Sequence, residues 1–171
     1  MAHFLDLPAW DSESRLRVVV ETPKGSAFKV RYDAETSAFT LQRALPGPLT
    51  YPHDWGFVSG TLADDGDPLD AMVIHDAATW PGLVIPSRPI AILEIRERRP
   101  GDANERKNPR IIAVPATLTE FDLSEEKKRS LTEFFQIVGQ QKKQLRVVGW
   151  GDANDARAEI KRASERYAQS S

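Results

Sequence analysis

Hydrophobic and polar residues alternate along the first two thirds of the chain, and a period of two predicts β-strands. Residues 99–109 form a polar segment with Gly and Pro, which predicts a loop between the last two of these strands. The predicted strands cover residues 15–21, 28–33, 38–45, 55–58, 69–74, 89–98 and 110–114.

The pattern changes to a helical one in the last third. Leu131, Phe134, Phe135 and Val138 recur at i, i+3, i+4 and i+7, and Ser124 stands where an N-cap is expected. Two glutamates follow this serine in the first turn, where their negative charge interacts favourably with the positive end of the helix dipole. The spacing therefore predicts an amphipathic helix that begins after Ser124.

The C-terminal segment predicts one more strand and one more helix. Residues 145–148 are typical of a short strand, and Asp152 opens the second helix. The apolar stripe of this helix consists of Ala156, Ile160, Ala163 and Tyr167. Many short strands followed by two helices indicate a small closed barrel with helices packed on its outside. Neither a repeat nor a linker divides residues 1–171, so we expect a single domain.

Composition narrows the possible functions. The chain has 171 residues, of which 40% are hydrophobic and 28% are charged, as in an ordinary globular protein. A net charge of −2 gives no indication of a nucleic-acid or membrane partner. The absence of cysteine excludes disulfides and thiolate chemistry. Because no signal peptide and no membrane-length apolar run are evident, we expect a cytoplasmic location.

The segment Asp-Gly-Asp-Pro-Leu-Asp at residues 65–70 is the strongest candidate for a chemical site. With Asp64 it brings four carboxylates into seven residues. Carboxylates this close repel one another unless a cation neutralises them, and oxygen-only ligands select Mg²⁺ or Mn²⁺. A solvated acidic turn is the alternative, since Asp, Gly and Pro are common in turns. The apolar residues that follow Asp70 favour the metal site, because they predict a buried strand directly after it.

Basic residues on two neighbouring predicted strands form a second candidate. Alternation places Lys29 and Arg31 on one face of their strand, and Arg43 lies on the next strand. Cations in this arrangement can hold an anion, and arginine suits phosphate in particular. A solvated strand face is the alternative. Beside a metal-binding turn the basic residues favour a phosphate ligand, because the metal would also bind phosphate oxygens.

Other common sites are not supported. His53 and His75 have no cysteine or close histidine companion, so zinc is not expected at either. The acidic turn does not fit an EF-hand, because Leu69 stands where an oxygen ligand belongs. The sequence has no Walker loop, no dinucleotide glycine fingerprint and no nucleophile elbow.

The acidic turn resembles the D-x-D-P-x-D signature of the soluble (family I) inorganic pyrophosphatases. The resemblance extends over nearly the whole chain. It includes Val-Val-Glu-Thr-Pro at 19–23, Phe-Lys at 28–29, Arg43, Tyr-Pro at 51–52, Trp-Gly-Phe at 55–57, Pro-Gly at 81–82, Ile-Ile-Ala-Val-Pro at 111–115, Phe-Phe at 134–135 and Gly-Trp at 149–150.

This resemblance implies a fold and an activity. It implies a mainly β fold with α-helices, an OB-like five-stranded closed β-barrel with flanking helices, two of them C-terminal, that assembles as a homohexamer. It implies hydrolysis of pyrophosphate to two phosphates with Mg²⁺, or Mn²⁺ in its place. The implied roles are proton acceptance by Asp67, substrate binding by Lys29, Arg43, Tyr51 and Trp55, and metal binding by Asp65, Asp70, Glu21 and Glu97.

Several positions depart from the family pattern. An acidic residue is replaced by Arg31, a tyrosine by Trp55, and the second residue of an Asp-Glu pair by Arg98. Asn108, which follows an insertion, stands where the family has a metal-binding Asp. Val138 and Gly139 stand where the family has a Tyr-Lys pair. With fewer carboxylates the site is expected to bind fewer Mg²⁺ ions or to bind them more weakly.

Four nearby charged residues and two arginines are candidates to compensate for these changes. Asp102 or Glu105 would replace the lost carboxylate, and Lys142 or Lys143 the lost lysine. Arg31 and Arg98 would act as phosphate clamps.

Three functions follow from the sequence. The leading one is a Mg²⁺-dependent inorganic pyrophosphatase. The alternative is a catalytically weakened relative that binds pyrophosphate, another phosphoanhydride or a nucleotide in a regulatory or different hydrolytic role. An OB-type nucleic-acid module rests on fold analogy alone, and the net charge disfavours it.

Overall fold

The computed structural model describes residues 3–141 and 144–170. Within these residues the chain forms nine strands and two helices. The elements are β1 Leu16–Thr22, β2 Phe28–Asp33, β3 Ala38–Ala44, β4 Asp54–Val58, β5 Asp70–Val73, β6 Val84–Arg98, β7 Arg106–Lys107, β8 Arg110–Pro115, α1 Glu125–Gly139, β9 Gln144–Asp152 and α2 Ala153–Ser170.

Five strands form a closed ring in the order β1-β4-β5-β8-β6. The pairing of β6 with β1 closes the ring, and every pair in it is antiparallel except β5 with β8. Strands β7 and β9 extend the sheet from β6. The predicted fold class, mainly β with a closed five-strand arrangement and flanking helices, is confirmed. Strand β9 separates the two helices, so that α2 alone forms the C-terminal end.

The longest strands extend beyond their predicted bounds. Strand β6 begins at Val84 rather than Pro89, because residues 84–87 pair with β1 before the strand reaches β8. Strand β9 continues to Asp152, although its glycines break the hydrophobic pattern, because it pairs along β6. The predicted loop 99–109 contains the two-residue strand β7. Cross-strand pairing, which the local pattern does not reveal, sets these ends.

Strands β2 and β3 form a separate two-stranded sheet. Lys29 lies directly opposite Arg43 in this pair, as the prediction of neighbouring strands required. The backbone N–H of Tyr32 donates to Glu21 Oε1 at 2.7 Å, which joins this sheet to β1. The Tyr32 ring also stacks on Phe57, with ring centroids 6.1 Å apart. The small sheet is therefore fixed beside β1 and β4.

Both faces of the ring strands are buried. In β8, Ile111 belongs to the core cluster that includes Ile160 of α2, and Ile112 belongs to the cluster that includes Phe134 of α1. Successive residues of a strand point to opposite faces, so one helix covers each side. Ser124 is the N-cap of α1, as predicted, and its hydroxyl accepts a hydrogen bond from Lys127 N.

The apolar stripe of α2 is also buried at three of its four predicted positions. The fourth, Tyr167, is half-buried, and its hydroxyl donates a hydrogen bond to Asp6 Oδ1 at 2.7 Å. Among residues 3–141 and 144–170, neither helix combines the length and the hydropathy that a membrane span requires.

Candidate active site

The acidic turn connects β4 to β5 and places three of its four carboxylates in one cavity. Gly66 has a φ of +88°, which only glycine adopts readily. Asp65, Asp67 and Asp70 line a cavity of 540 Å³. Asp64 does not line it and pairs instead with Arg166 of α2, at 3.4 Å. The predicted cluster of four carboxylates is therefore a site of three.

Residues from other elements complete this cavity. Glu21 reaches it from β1, Lys29 and Arg31 from β2, and Arg110 from the start of β8. Glu97 does not line the cavity. Its side chain is only 2% exposed, and its carboxylate lies 3.8 Å from the Arg110 guanidinium. The structure thus places the predicted metal-binding residue Glu97 behind the cavity and not on its surface.

The remaining predicted substrate residues line a smaller cavity of 40 Å³ next to the first. Arg43, Tyr51 and Trp55 meet there, and Lys29 and Arg110 line both cavities. The two basic strands and the aromatic turn therefore converge beside the acidic turn, although the sequence places them up to about forty residues apart.

Three arginines contact the three carboxylates of the turn. Arg31 Nη2 lies 2.5 Å from Asp67 Oδ1, and Arg110 Nη1 lies 2.5 Å from Asp70 Oδ2.

The third pair joins the turn to the end of β6. Arg99 Nη2 lies 3.4 Å from Asp65 Oδ2, and 3.8 Å from Asp67 Oδ2. Arg99 was not among the predicted site residues. Alternation gives only a weak signal for it, since Glu97 points inward and Arg98 outward but Arg99 lies one residue beyond β6, in the predicted loop. Arg98 donates to Gln144 Oε1 and does not line the cavity, so its expected role as a phosphate clamp is wrong.

The altered positions also have defined places. Asn108 Nδ2 donates to Asp65 Oδ2 at 3.1 Å, and Asn108 Oδ1 accepts from Arg110. The amide therefore connects a carboxylate to a guanidinium. Asp102 pairs with Arg106, and Glu105 pairs with Arg146.

Neither of these two acidic residues lines the cavity, so the expectation that Asp102 or Glu105 replaces the lost carboxylate is wrong. Lys142 and Lys143, the candidates for the lost lysine, lie outside the described residues.

The remaining altered positions, Trp55, Val138 and Gly139, line the small cavity. The Arg110 guanidinium carbon lies 5.4 Å from the centre of the Trp55 ring, a cation–π contact. Val138 O accepts a hydrogen bond from Arg43 Nη2 at 3.3 Å. A Cβ on Gly139 would lie 2.4 Å from Leu145 Cδ1, so the leucine fills the space beside this glycine.

Comparison with known proteins identifies the family. Residues 18–168 match the model of the family described as inorganic pyrophosphatase. The chain belongs to the inorganic pyrophosphatase family. The inorganic pyrophosphatase of Synechocystis sp. is 38% identical over 156 residues, which cover 86% of this chain and 89% of that protein. That of Thermus thermophilus is 34% identical over 176 residues, which cover 98% of this chain and 99% of that protein.

The fold of this pyrophosphatase-family chain agrees with that assignment. The crystal structure of the Thermus thermophilus inorganic pyrophosphatase superimposes with a TM-score of 0.86 at 31% identity, covering 98% of this chain and 99% of that one. The resemblance inferred from the acidic turn is therefore confirmed over the whole described chain.

Burial and neighbouring carboxylates shift the pKa values of two acidic residues in this site. Burial raises the pKa of Asp65, and the neighbouring charges of Asp70, Asp67 and Glu97 raise it further. Burial also raises the pKa of Glu21 to about 7, and the Asp70 charge raises it too. The hydrogen bond from the Tyr32 N–H acts in the opposite direction. These groups are the ones whose ionised forms a bound cation would stabilise.

The donors available in the cavity fit a hard divalent cation. Asp65, Asp67 and Asp70 offer oxygen ligands only, and Mg²⁺ and Mn²⁺ prefer such ligands. Among residues 3–141 and 144–170, however, no three acidic or histidine side chains converge closely enough to hold an ion. The residue types fit Mg²⁺, while in this arrangement guanidinium groups contact the carboxylate oxygens.

Proposed function

We propose that this chain hydrolyses inorganic pyrophosphate to two phosphates and that it uses Mg²⁺, with Mn²⁺ as a substitute. The observation that carries the proposal is one cavity in which the three carboxylates of the family signature face Lys29 and three arginines. An oligoanion with bound cations suits such a mixed surface. Membership of the inorganic pyrophosphatase family supports the same substrate.

The basic residues offset the charge of the substrate. Pyrophosphate carries several negative charges, which repel an attacking oxygen until they are neutralised. Lys29 lines the cavity and lies opposite Arg43 on the paired strand, so both cations reach the same side of the site. We assign substrate binding to these two residues and to Tyr51 and Trp55 beside them.

The carboxylates are assigned different tasks. Asp65 and Asp70, with Glu21, would hold Mg²⁺, which supplies charge neutralisation and lowers the pKa of water when bound. Glu97, which lies behind the cavity beside Arg110, is not assigned a metal-binding role. Asp67 is 40% exposed, so its carboxylate can reach a water molecule in the cavity. This carboxylate would take the proton as the water oxygen attacks phosphorus and the bridging P–O bond breaks.

Phosphate release from pyrophosphate, measured with Mg²⁺ and after EDTA treatment, tests the proposal. We expect turnover that depends on Mg²⁺ and that Mn²⁺ partly restores. Calorimetric binding of pyrophosphate without phosphate release under either condition would contradict it and would favour a binding protein of the same fold.

Two properties stay predictions. We expect a homohexamer from the family resemblance, and a cytoplasmic location stays the expectation from the sequence patterns. Sedimentation velocity of the purified protein tests the first, and a mass near that of one chain would contradict it.

A further inference from the structure

Two of the three arginines in the cavity are held much less firmly than the third. The Arg110 side chain is 6% exposed, whereas the side chains of Arg31 and Arg99 are 46% and 44% exposed. Arg110 also donates to Asn108 O at 3.0 Å and lies 3.8 Å from the buried Glu97, whereas Arg99 Nε lies 4.0 Å from that carboxylate. Arg110 is therefore a fixed part of the site, and the two exposed arginines can change position at low cost.

The two exposed arginines occupy carboxylate oxygens that a cation would need. Arg31 contacts Asp67 Oδ1 at 2.5 Å, and Arg99 contacts Asp65 Oδ2 at 3.4 Å and Asp67 Oδ2 at 3.8 Å. A divalent cation on the same oxygens would place like charges within a few ångströms of each other, which is strongly unfavourable. The Arg31–Asp67 pair is exposed on both sides and contributes little stability, and the Arg99–Asp65 pair, whose carboxylate is only 4% exposed, is long at 3.4 Å, so an arriving cation can displace both guanidinium groups.

The displaced guanidinium groups would remain at the cavity. Both side chains line it together with Lys29, and an arginine can bind two phosphate oxygens at once. Their charge would then act on the anionic substrate and no longer on the carboxylates.

We propose that Arg31 and Arg99 exchange partners: they neutralise Asp67 and Asp65 when no cation is bound, and they bind the substrate phosphates when a cation takes the carboxylates. The substrate half of this inference rests on the proposed function. The exchange makes the two arginines competitors of the metal and, at the same time, determinants of pyrophosphate affinity.

Arg98 offers a matched control. It is adjacent to Arg99, carries the same charge and is exposed, but it contacts Gln144 and does not line the cavity. The variants R31Q, R99Q and R98Q therefore remove one positive charge each, and only the first two remove it from the cavity. R31K retains the charge, and circular dichroism of all four variants checks that they are folded.

The first measurement is calorimetric titration of the EDTA-treated and dialysed protein with Mn²⁺. We expect R31Q and R99Q to bind Mn²⁺ about tenfold more tightly than the parent, because a repelling charge a few ångströms away is lost. We expect R98Q and R31K to stay within about twofold of the parent. Equal affinity of R31Q, R99Q and R98Q for Mn²⁺ would overturn the proposal.

The second measurement is binding of pyrophosphate to the same proteins in the presence of Ca²⁺ at saturating concentration. We expect R31Q and R99Q to bind it about tenfold more weakly and R98Q to bind it as the parent does. Unchanged pyrophosphate affinity in R31Q and R99Q would refute the exchange of partners. Because neither titration requires turnover, a parent protein that releases no phosphate would refute hydrolysis without deciding the exchange.

Discussion

Arg110 and Asp70 are register partners at the start of the parallel strands β8 and β5, and their side chains meet at 2.5 Å, Nη1 to Oδ2. The same guanidinium lies 3.8 Å from Glu97 Oε2, on β6. One buried cation therefore balances carboxylates from two neighbouring strands of the ring. Position 110 connects the stability of the fold to the charge of the active site.

Replacing Arg110 by methionine should destabilise the protein strongly. The change leaves Glu97, which is almost fully buried, without its nearest buried cation, and removing one partner of a buried pair costs about 3–5 kcal/mol. Urea unfolding in EDTA measures the loss. R106M is the control, because Arg106 is exposed and lies 3.6 Å from the half-buried Asp102, so its loss should cost less than about 1 kcal/mol. Equal losses for the two variants would contradict the prediction.

Asp67→Asn should reduce pyrophosphate hydrolysis about 100-fold or more, because the amide cannot accept the proton of the attacking water. Its thermal unfolding should change little, since the contact it loses to Arg31 is an exposed one. Phosphate release at saturating Mg²⁺ measures the effect. Asp64→Asn, which changes a carboxylate of the same turn outside the cavity, should retain parental activity. Parental turnover in D67N would show that another group accepts the proton.

Gly56→Ala should prevent normal folding. A Cβ at Gly56 would lie 1.8 Å from the carbonyl oxygen of Val19, in the paired strand β1, and backbone cannot move away without breaking the β1–β4 ladder. We expect a loss above about 4 kcal/mol or no cooperative transition in thermal unfolding.

Gly149→Ala is the matched control for this change, because a Cβ there meets no atom within 4 Å. It should leave stability unchanged or raise it by about 0.5–1 kcal/mol, since alanine loses less conformational freedom on folding. A cooperative G56A transition close to that of G149A would contradict the steric argument.

Glu21→Gln should stabilise the metal-free protein at neutral and alkaline pH. The folded pKa of Glu21 is raised from 4.5 to about 7, so between these values the folded state binds more protons than the unfolded state. The free energy of unfolding therefore falls as pH rises through this window. A glutamine stays neutral and retains an oxygen that can accept from Tyr32 N, so this fall is removed.

Urea unfolding of E21Q and the parent in EDTA measures this difference. The two should be similar near pH 4.5, and E21Q should be more stable by as much as about 3 kcal/mol near pH 8. A difference that is the same at both pH values would contradict the assignment of the raised pKa to Glu21.

Local sequence patterns were sufficient for much of the fold. The spacing of the apolar residues in α1 predicted that helix, because side-chain periodicity there reflects which face is buried. The alternation around Leu16 also predicted β1, although both faces of this strand are buried. Strand ends were less predictable. Val84 and Asp152 lie in strands because partner strands extend alongside them, and no neighbouring residue in the sequence specifies that pairing.

The sequence by itself determined the acidic turn, the family and the presence of Lys29 and Arg43 on adjacent strands, because each depends on residues close together in the chain or on one shared motif. Only the tertiary structure decided that Asp64 turns away from the cavity and that Arg31 and Arg99 contact its carboxylates. These pairs join residues more than thirty positions apart. Closure of the ring and its register bring them together, and no local pattern encodes either.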